Sequence, residues 1–396
     1  MATAVLDIDL NNLPAEIAGL DAYSKALILL RYNGKPVGKV TVHVLNGKII
    51  TEDYYTSFLN ACGSTLHHAW LKEYLDEADP STGHPKYQKA TVAVCTRNRT
   101  DDLRRCLDAL MKQPDDGQEF VIIDNCPSND DTKDLVAEYS RVRYVREDRP
   151  GLNIARNRAL TEASNEIVVF SDDDATPDSR WLRAMVKNFE SSLVACVTGL
   201  TLPLELETDG QEAFEKYSPF GKGFRRIVHS GTTRNPLSTG EVGAGANMAL
   251  RKSLLESIGP FDEALDAGTA TNSGGDHEYF ARILLAGYRI VYEPEALSWH
   301  RHRRTMEETK KAIKGYGIGV YAFWTRLLLV EKEIGILKFP WYWFTYTQLP
   351  NLIKSIFRRP GSQPFNLVFA ELYGCVIGPW AYLKARKKVK TKTSKS

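Results

Sequence analysis

Residues 89–304 predict an α/β domain built on a mostly parallel sheet, and two patterns carry that expectation. Short β-branched apolar runs alternate with helices of about 10–15 residues, as βαβ units require. Polar clusters then sit at the carboxyl ends of the strands, where open α/β sheets bind their ligands. The chain has 396 residues, more than one domain commonly needs, so extensions flank this core.

Ahead of the core, Lys39–Val44 and Lys48–Thr51 flank Asn46-Gly47, a two-residue hairpin signal, and Ser57–Leu75 has helical character. Residues 1–80 read as a small accessory β-containing module in which no chemistry stands out. Glu77–Lys89, with two prolines and one glycine, reads as a linker. The core opens with the strand Ala90–Cys95 and the helix Asp101–Lys112, whose Leu103, Leu107 and Leu110 share a side. Phe120–Asp124, Val142–Val145 and Ile167–Ser171 are the following strands, with helices at Asp130–Tyr139 and Ile154–Ala163. After the strand Val194–Leu200 the pattern loosens through the polar stretch Thr208–Thr239. It resumes with Asn247–Leu250, a helix at Asp276–Ala286 and a strand at Arg289–Tyr292. Glu295–Trp299 is strand-like and ends at His300.

With 43% hydrophobic and 25% charged residues, the composition is that of a soluble globular protein. A net charge of +2 makes no case for nucleic acid as a partner. The charge is uneven, however: the last thirteen residues, Lys384–Ser396, hold seven Lys/Arg and no acid. Six scattered cysteines without a C-x-x-C pair suit reduced thiols in a cytoplasmic protein, and they lack zinc-site spacing. Asp7 and Asp9 speak against a secretory signal. Spanning helices want roughly 20 apolar residues in a row. Phe339–Ile353 is broken by Pro340 and Pro350, and Phe365–Leu383 contains Glu371.

Asp172-Asp173-Asp174 follows the apolar run Ile167–Phe170. Adjacent carboxylates repel unless positive charge sits among them. A hard divalent cation meets that need and can also bridge a diphosphate. In extended backbone alternate side chains share a face, so Asp172 and Asp174 are expected together and Asp173 apart. A solvated acidic turn before Thr176-Pro177-Asp178 is the plainer reading of the same residues. Neither G-x-G-x-x-G nor G-x-x-x-x-G-K-[ST] occurs, which counts against dinucleotide oxidoreductases and P-loop NTPases.

Val92–Arg99, Val121–Asn125, Arg149–Asn157 and Val168–Asp174 together resemble the nucleotide-binding half of family 2 glycosyltransferases, which adopt the GT-A fold. Asn247–Arg251 and Gly274–Glu278 resemble that family's acceptor-side motifs, in the expected order. The resemblance covers about residues 90–304. It implies a GT-A-type sheet flanked by helices, with Thr96 and Arg97 lining the nucleotide pocket and Asp124 bonding the base. Arg156 would contact the base or diphosphate, although a helix-surface arginine accounts for the residue alone. Asp172–Asp174 would supply the D-x-D pair, Asp172 and Asp173 toward the donor and Asp174 toward Mn2+ or Mg2+. Asp276 matches the catalytic base, with Glu278 as runner-up. Gly275 departs from the Glu that commonly precedes that base, and Asp276 also suits a helix cap. His300 or His302 would complete the metal shell, or would contact phosphate.

Beyond Arg304, Met306–Lys314 is a charged helix and Ile318–Val330 is strongly apolar. Trp341, Trp343, Phe344, Tyr346, Phe369, Trp380 and Tyr382 follow. Aromatics beside Lys/Arg clusters suit the headgroup region of an anionic membrane; a helical subdomain that buries them is the alternative. The sequence thus reads as a metal-dependent, inverting enzyme on the cytoplasmic side, moving one sugar from a nucleotide-sugar donor to a glycan or lipid-linked acceptor. Residues 305–383 would be a helical membrane-surface extension and 384–396 a basic tail. The Gln-x-x-Arg-Trp motif of processive synthases is absent. The alternatives are a nucleotidyltransferase, against which Val94–Thr100 lacks glycine, and a non-catalytic nucleotide-sugar-binding scaffold.

Overall fold

A nine-stranded sheet forms the centre of the protein; the computed structural model describes residues 2–78 and 87–393. Its parallel half runs in the order Val142–Glu147, Glu119–Asn125, Ala90–Thr96, Ile167–Asp172. The three strands from Glu119 to Asp172 in this order are covered on both faces, so they read as unbroken apolar runs without alternation. Ile167–Asp172 pairs antiparallel with Asn247–Arg251, which pairs antiparallel with Val194–Pro203. Val194–Pro203 lies parallel to Arg289–His300. Helices Thr100–Leu110, Asp131–Ala137 and Leu152–Glu162 connect the parallel strands. This is the α/β, GT-A-type architecture, a mostly parallel central sheet with flanking helices.

The chain runs from Ala90–Thr96 toward one sheet edge and returns as Ile167–Asp172 on the other side of the same strand. The switch point of the topology therefore lies between these two strands. Connections leaving them diverge to opposite sides and open a crevice at their carboxyl ends.

Several expected elements differ. Arg289–Tyr292 and Glu295–Trp299 belong to one long strand, Arg289–His300. The polar stretch Thr208–Thr239 holds a helix, Asp209–Tyr217, started by a capping box between Thr208 and Gln211. In the N-terminal module, Lys35–His43 pairs with Lys25–Tyr32 about Asn33-Gly34, not with Lys48–Thr51. Asn33 at φ 50 and Gly34 at φ 74 supply the two left-handed positions of a type I′ turn. Ala26–Arg31 are all buried, and this central strand takes a neighbour on each edge, Thr3–Asp9 being the parallel one. Asn46-Gly47 makes only the tight Leu45–Lys48 turn, and Ile49–Ile50 pairs with Glu16–Ile17. The linker reading of Glu77–Lys89 falls mostly outside the described residues.

The module is joined to the core. Arg31 pairs with Asp178 at 2.7 Å, Lys39 with Glu215 at 2.9 Å, and Leu29 packs with Leu200 and Leu202. At the other end, the helices Met306–Arg326 and Phe365–Thr393 pack closely against each other. A Cβ on Gly317 would lie 2.3 Å from Glu371 O, so only glycine permits this approach. The basic tail is not a separate segment: its residues through Thr393 continue the last helix, with Ala385 buried. Among the described residues, no helix is long and apolar enough to cross a membrane.

Candidate active site

A cavity of about 520 Å³ opens at the switch point, with the ends of Ala90–Thr96 and Ile167–Asp172 in its wall. Oxygens of Asp172 and Asp174 and a ring nitrogen of His300 lie within 4.8 Å of one another. His300 ends the strand Arg289–His300, whose pairing with Ala175–Pro177 carries it beside the aspartates. Its Nε2 is 3.1 Å from Asp174 Oδ1. Asp173 instead accepts the Thr96 hydroxyl at 2.8 Å and Arg99 Nη1 at 2.7 Å. Arg99 also donates to Asp174 Oδ2 at 2.9 Å, and Arg303 stands 3.5 Å from the same oxygen.

Burial opposes ionisation of all three carboxyls. At Asp174 the facing His300, Arg99 and Arg303 overcome it and hold the group well below the usual carboxylate range. At Asp173 burial and the neighbouring Asp174 win over Arg99, and the carboxyl is pushed up to about 7. Asp172 is raised too, by burial and Asp174, against Arg156 and His300. Two carboxylates and an imidazole converging on one point fit a hard divalent ion such as Mn2+ or Mg2+. His302 lies behind His300, its Nδ1 3.3 Å from His300 Nδ1 and its Nε2 3.1 Å from Glu215.

Asp276 lines the same cavity from the first turn of the helix Gly275–Leu285. The cap position belongs to Gly274 at φ 96. Asp276 Oδ2 accepts the Gly245 N–H at 2.8 Å, and Oδ1 accepts that of His277 at 2.8 Å. Burial alone would raise this carboxyl; His277, Arg156 and the two N–H groups outweigh it and lower it. A Cβ on Gly275 would fall 2.4 Å from Asn153 Nδ2 and 2.5 Å from Asp266 Oδ2. The space a Glu would need there is held by Asp266, which pairs with Arg156 at 2.7 Å.

Glu278 does not line the cavity. It is buried against Arg282 at 2.6 Å and Arg326 at 2.9 Å. Glu278→Gln takes from the buried Arg282 the one counter-charge it has among the described residues, while Arg326 keeps Asp262 and Glu331, so a loss of about 3 kcal/mol in denaturant unfolding is expected. Nucleotide binding should persist in the folded variant. Lost turnover at unchanged stability would overturn this structural role.

On the donor side, Thr96 is buried, Arg97 is exposed at the cavity rim, and Arg156 is buried in the wall with Asn153 Oδ1 at 3.2 Å. Asp124 is not part of the wall; Asn125 is. Asp124 Oδ2 accepts the Tyr144 hydroxyl at 2.9 Å, while its buried Oδ1 has no partner among the described residues. Sequence reasoning missed Asp266, the double role of Arg99, and the wall residues Tyr316, Trp343 and Glu371. Asp266 left only a faint signal as the last acid of a loop run; its φ of 79, a conformation Asp tolerates better than most, emerges only in the fold. The extension residues left none, because no local pattern separates an aromatic facing a cavity from one facing the core.

A switch-point crevice that sets arginines beside carboxylates suits a substrate bearing phosphate. The family follows from comparison: residues 91–259 match the model of glycosyl transferase family 2, and the domain belongs to that family. Asp276 and His300 lie beyond the matched range. Glycosyltransferase AglE of Haloferax volcanii is 27% identical over 244 residues, 59% of this chain and 73% of that protein. The pre-mycofactocin glycosyltransferase of Mycobacterium tuberculosis is 27% identical over 245 residues, 60% of this chain. The match spans about half, 48%, of that relative's length. The O-antigen chain rhamnosyltransferase RfbN of Salmonella typhimurium is 26% identical over 225 residues, 56% of this chain and 68% of its own. Among solved structures, the mannosyltransferase PcManGT of Pyrobaculum calidifontis aligns over 84% of this chain and 83% of its own. At 18% identity and a TM-score of 0.45, that likeness is one of outline alone.

Proposed function

We propose that this chain transfers a single sugar from a nucleotide-sugar donor to a hydroxyl of a glycan or lipid-linked acceptor, inverting the anomeric centre with the help of a divalent cation. One observation carries the reading: Asp172, Asp174 and His300 share a single cavity with Asp276. The acceptor oxygen attacks the anomeric carbon and its proton passes to Asp276. The bond to the diphosphate breaks, and its electron pair leaves on the phosphate oxygen. One displacement inverts the centre and needs only one base. Asp276 is held ionised, and each of its oxygens keeps a lone pair beyond the N–H it accepts. Mn2+ or Mg2+ held by Asp172, Asp174 and His300 would neutralise charge on the leaving diphosphate. Arg97, Arg99, Arg156 and Arg303 add fixed positive charge to the same wall.

The Oδ1 of Asp124, without a partner among the described residues, is the candidate acceptor for an N–H of the donor base. Tyr316, Trp343 and Glu371 from the C-terminal extension offer aromatic faces and a carboxyl to an acceptor sugar. The O-antigen transferase among the relatives favours a cell-envelope polysaccharide as the acceptor class. Thermal-shift screening of UDP-, GDP-, CMP- and dTDP-sugars with Mn2+ tests the proposal. One base class is expected to stabilise the protein, and stabilisation by none would sink it.

A second reading, drawn from the extension, is docking on the cytoplasmic face of an anionic membrane. Trp341, Tyr346, Phe357 and Trp380 are 68%, 76%, 69% and 67% exposed, whereas Phe323, Trp324 and Tyr382 are buried in a helical core. The helical-subdomain alternative accounts for the second group only. Exposed lysines of the last helix, Lys384, Lys387 and Lys388, accompany the first. Each cation near such a surface is worth about 1 kcal/mol. The protein should sediment with phosphatidylglycerol vesicles and be partly released at high salt. Replacing those three lysines with glutamine should lower binding; truncation is a poorer test because it removes the buried Ala385. Indifference to these vesicles at low salt would end this reading.

A further inference from the structure

The N-terminal module reaches the aspartate–histidine cluster through an unbroken line of polar contacts. Lys39 Nζ is 2.9 Å from Glu215 Oε1, and Glu215 Oε2 is 3.1 Å from His302 Nε2. His302 Nδ1 is 3.3 Å from His300 Nδ1, and His300 Nε2 is 3.1 Å from Asp174 Oδ1. Both imidazoles are buried and braced by phenylalanines, Phe214 at 4.6 Å from His302 and Phe220 at 5.1 Å from His300 between ring centroids.

Donor and acceptor roles along this line follow from its outer end. Glu215, paired with an ammonium group, is a carboxylate and can only accept, so His302 Nε2 must donate to it. A His302 with a single proton then presents a bare Nδ1, which accepts from His300 Nδ1–H. His300 Nε2 is left as the nitrogen that faces Asp172 and Asp174, the orientation a metal ligand needs. The module also grips the segment that carries Glu215. Thr3 Oγ1 bonds Glu212 Oε1 at 2.6 Å, and the Thr3 N–H bonds Leu206 O at 2.8 Å.

We propose that Lys39 and Glu215 are positioning residues which, through His302, fix the tautomer and direction of His300 toward a divalent cation. This gives residues 1–80 a part in the active site, and it rests on the metal reading proposed above. Packing of the module onto the core would account for Thr3 and Arg31. It does not require a lysine and a glutamate in line with two hydrogen-bonded histidines.

Mn2+ titration followed by electron paramagnetic resonance tests the proposal on the full chain, with thermal unfolding as the check on folding. Glu215→Leu is expected to raise the Mn2+ Kd by roughly 10–100-fold, the usual cost of losing an outer partner of a metal ligand. The spin-echo nitrogen modulation of the coordinated imidazole should fade with it, a change that simple loosening of the fold would not single out. Lys39→Met, a milder change at a half-buried side chain, should shift both readouts in the same direction. Wild-type Kd and nitrogen modulation in folded Glu215→Leu would overturn this inference and leave the metal reading standing. Lys39→Met indistinguishable from wild type would remove the module from it. A wild-type protein that binds no Mn2+ would overturn both.

Discussion

Asp276→Asn is expected to fold and bind donor as before, yet to lose turnover by about 10²–10⁴-fold. The amide keeps the shape of the side chain and its place in the first turn of Gly275–Leu285, but it cannot take a proton from a hydroxyl. The native carboxylate accepts one N–H at each oxygen, and asparagine can satisfy only one of them. A small loss of stability therefore accompanies the catalytic one, and thermal unfolding separates the two. Donor affinity measured by calorimetry should barely move. Asp266 is the serious competitor, because it is also a buried carboxyl in the cavity wall. Its Oδ2 is taken by Arg156 and its Oδ1 by the Ala267 N–H, so it is engaged where Asp276 faces open space. Retained turnover in Asp276→Asn, with loss in Asp266→Asn, would transfer the role.

What could be read in the sequence divides along physical lines. The strands around the switch point were legible because burial on both faces demands unbroken β-branched runs, as in Ile167–Phe170. Asp172 and Asp174 do converge while Asp173 bonds Thr96, but Asp173 and Asp174 form a turn after the strand Ile167–Asp172, so it is the turn, and not alternation along extended backbone, that brings the two together. The hairpin failed because the sequence carries two Asn-Gly pairs, and only the position of Lys25–Tyr32 between two strands decides which one turns a hairpin. Gly275 was legible as a departure but not as a consequence. Its meaning depends on Asp266 and Asn153, which the fold brings to within 2.5 Å of a would-be Cβ. The line from Lys39 to His300 was invisible for the same reason, since 176 residues separate Lys39 from Glu215.

Asp174→Ala is expected to abolish the Mn2+-dependent part of nucleotide affinity. Losing even an outer partner of a metal ligand costs roughly 10–100-fold, so removing a ligand should cost more than about 100-fold. Wild-type protein stripped with EDTA should bind nucleotide no better than the variant, and the variant should not respond to EDTA. The substitution also takes a charge from beside Arg99, Arg303 and His300. Arg99 keeps Asp173 and Asp102 as partners, and Arg303 is about half exposed, so the fold should survive. Asp174→Asn guards against the contrary, because it retains an oxygen for Arg99 while weakening the hold on a divalent ion. Loss of Mn2+ dependence in both variants, with unfolding curves near wild type, would assign the effect to the metal and not to packing. Unchanged Mn2+-dependent affinity in a folded Asp174→Ala protein would reduce the cluster to an ion-paired structural turn, and the arginines alone would then hold the diphosphate.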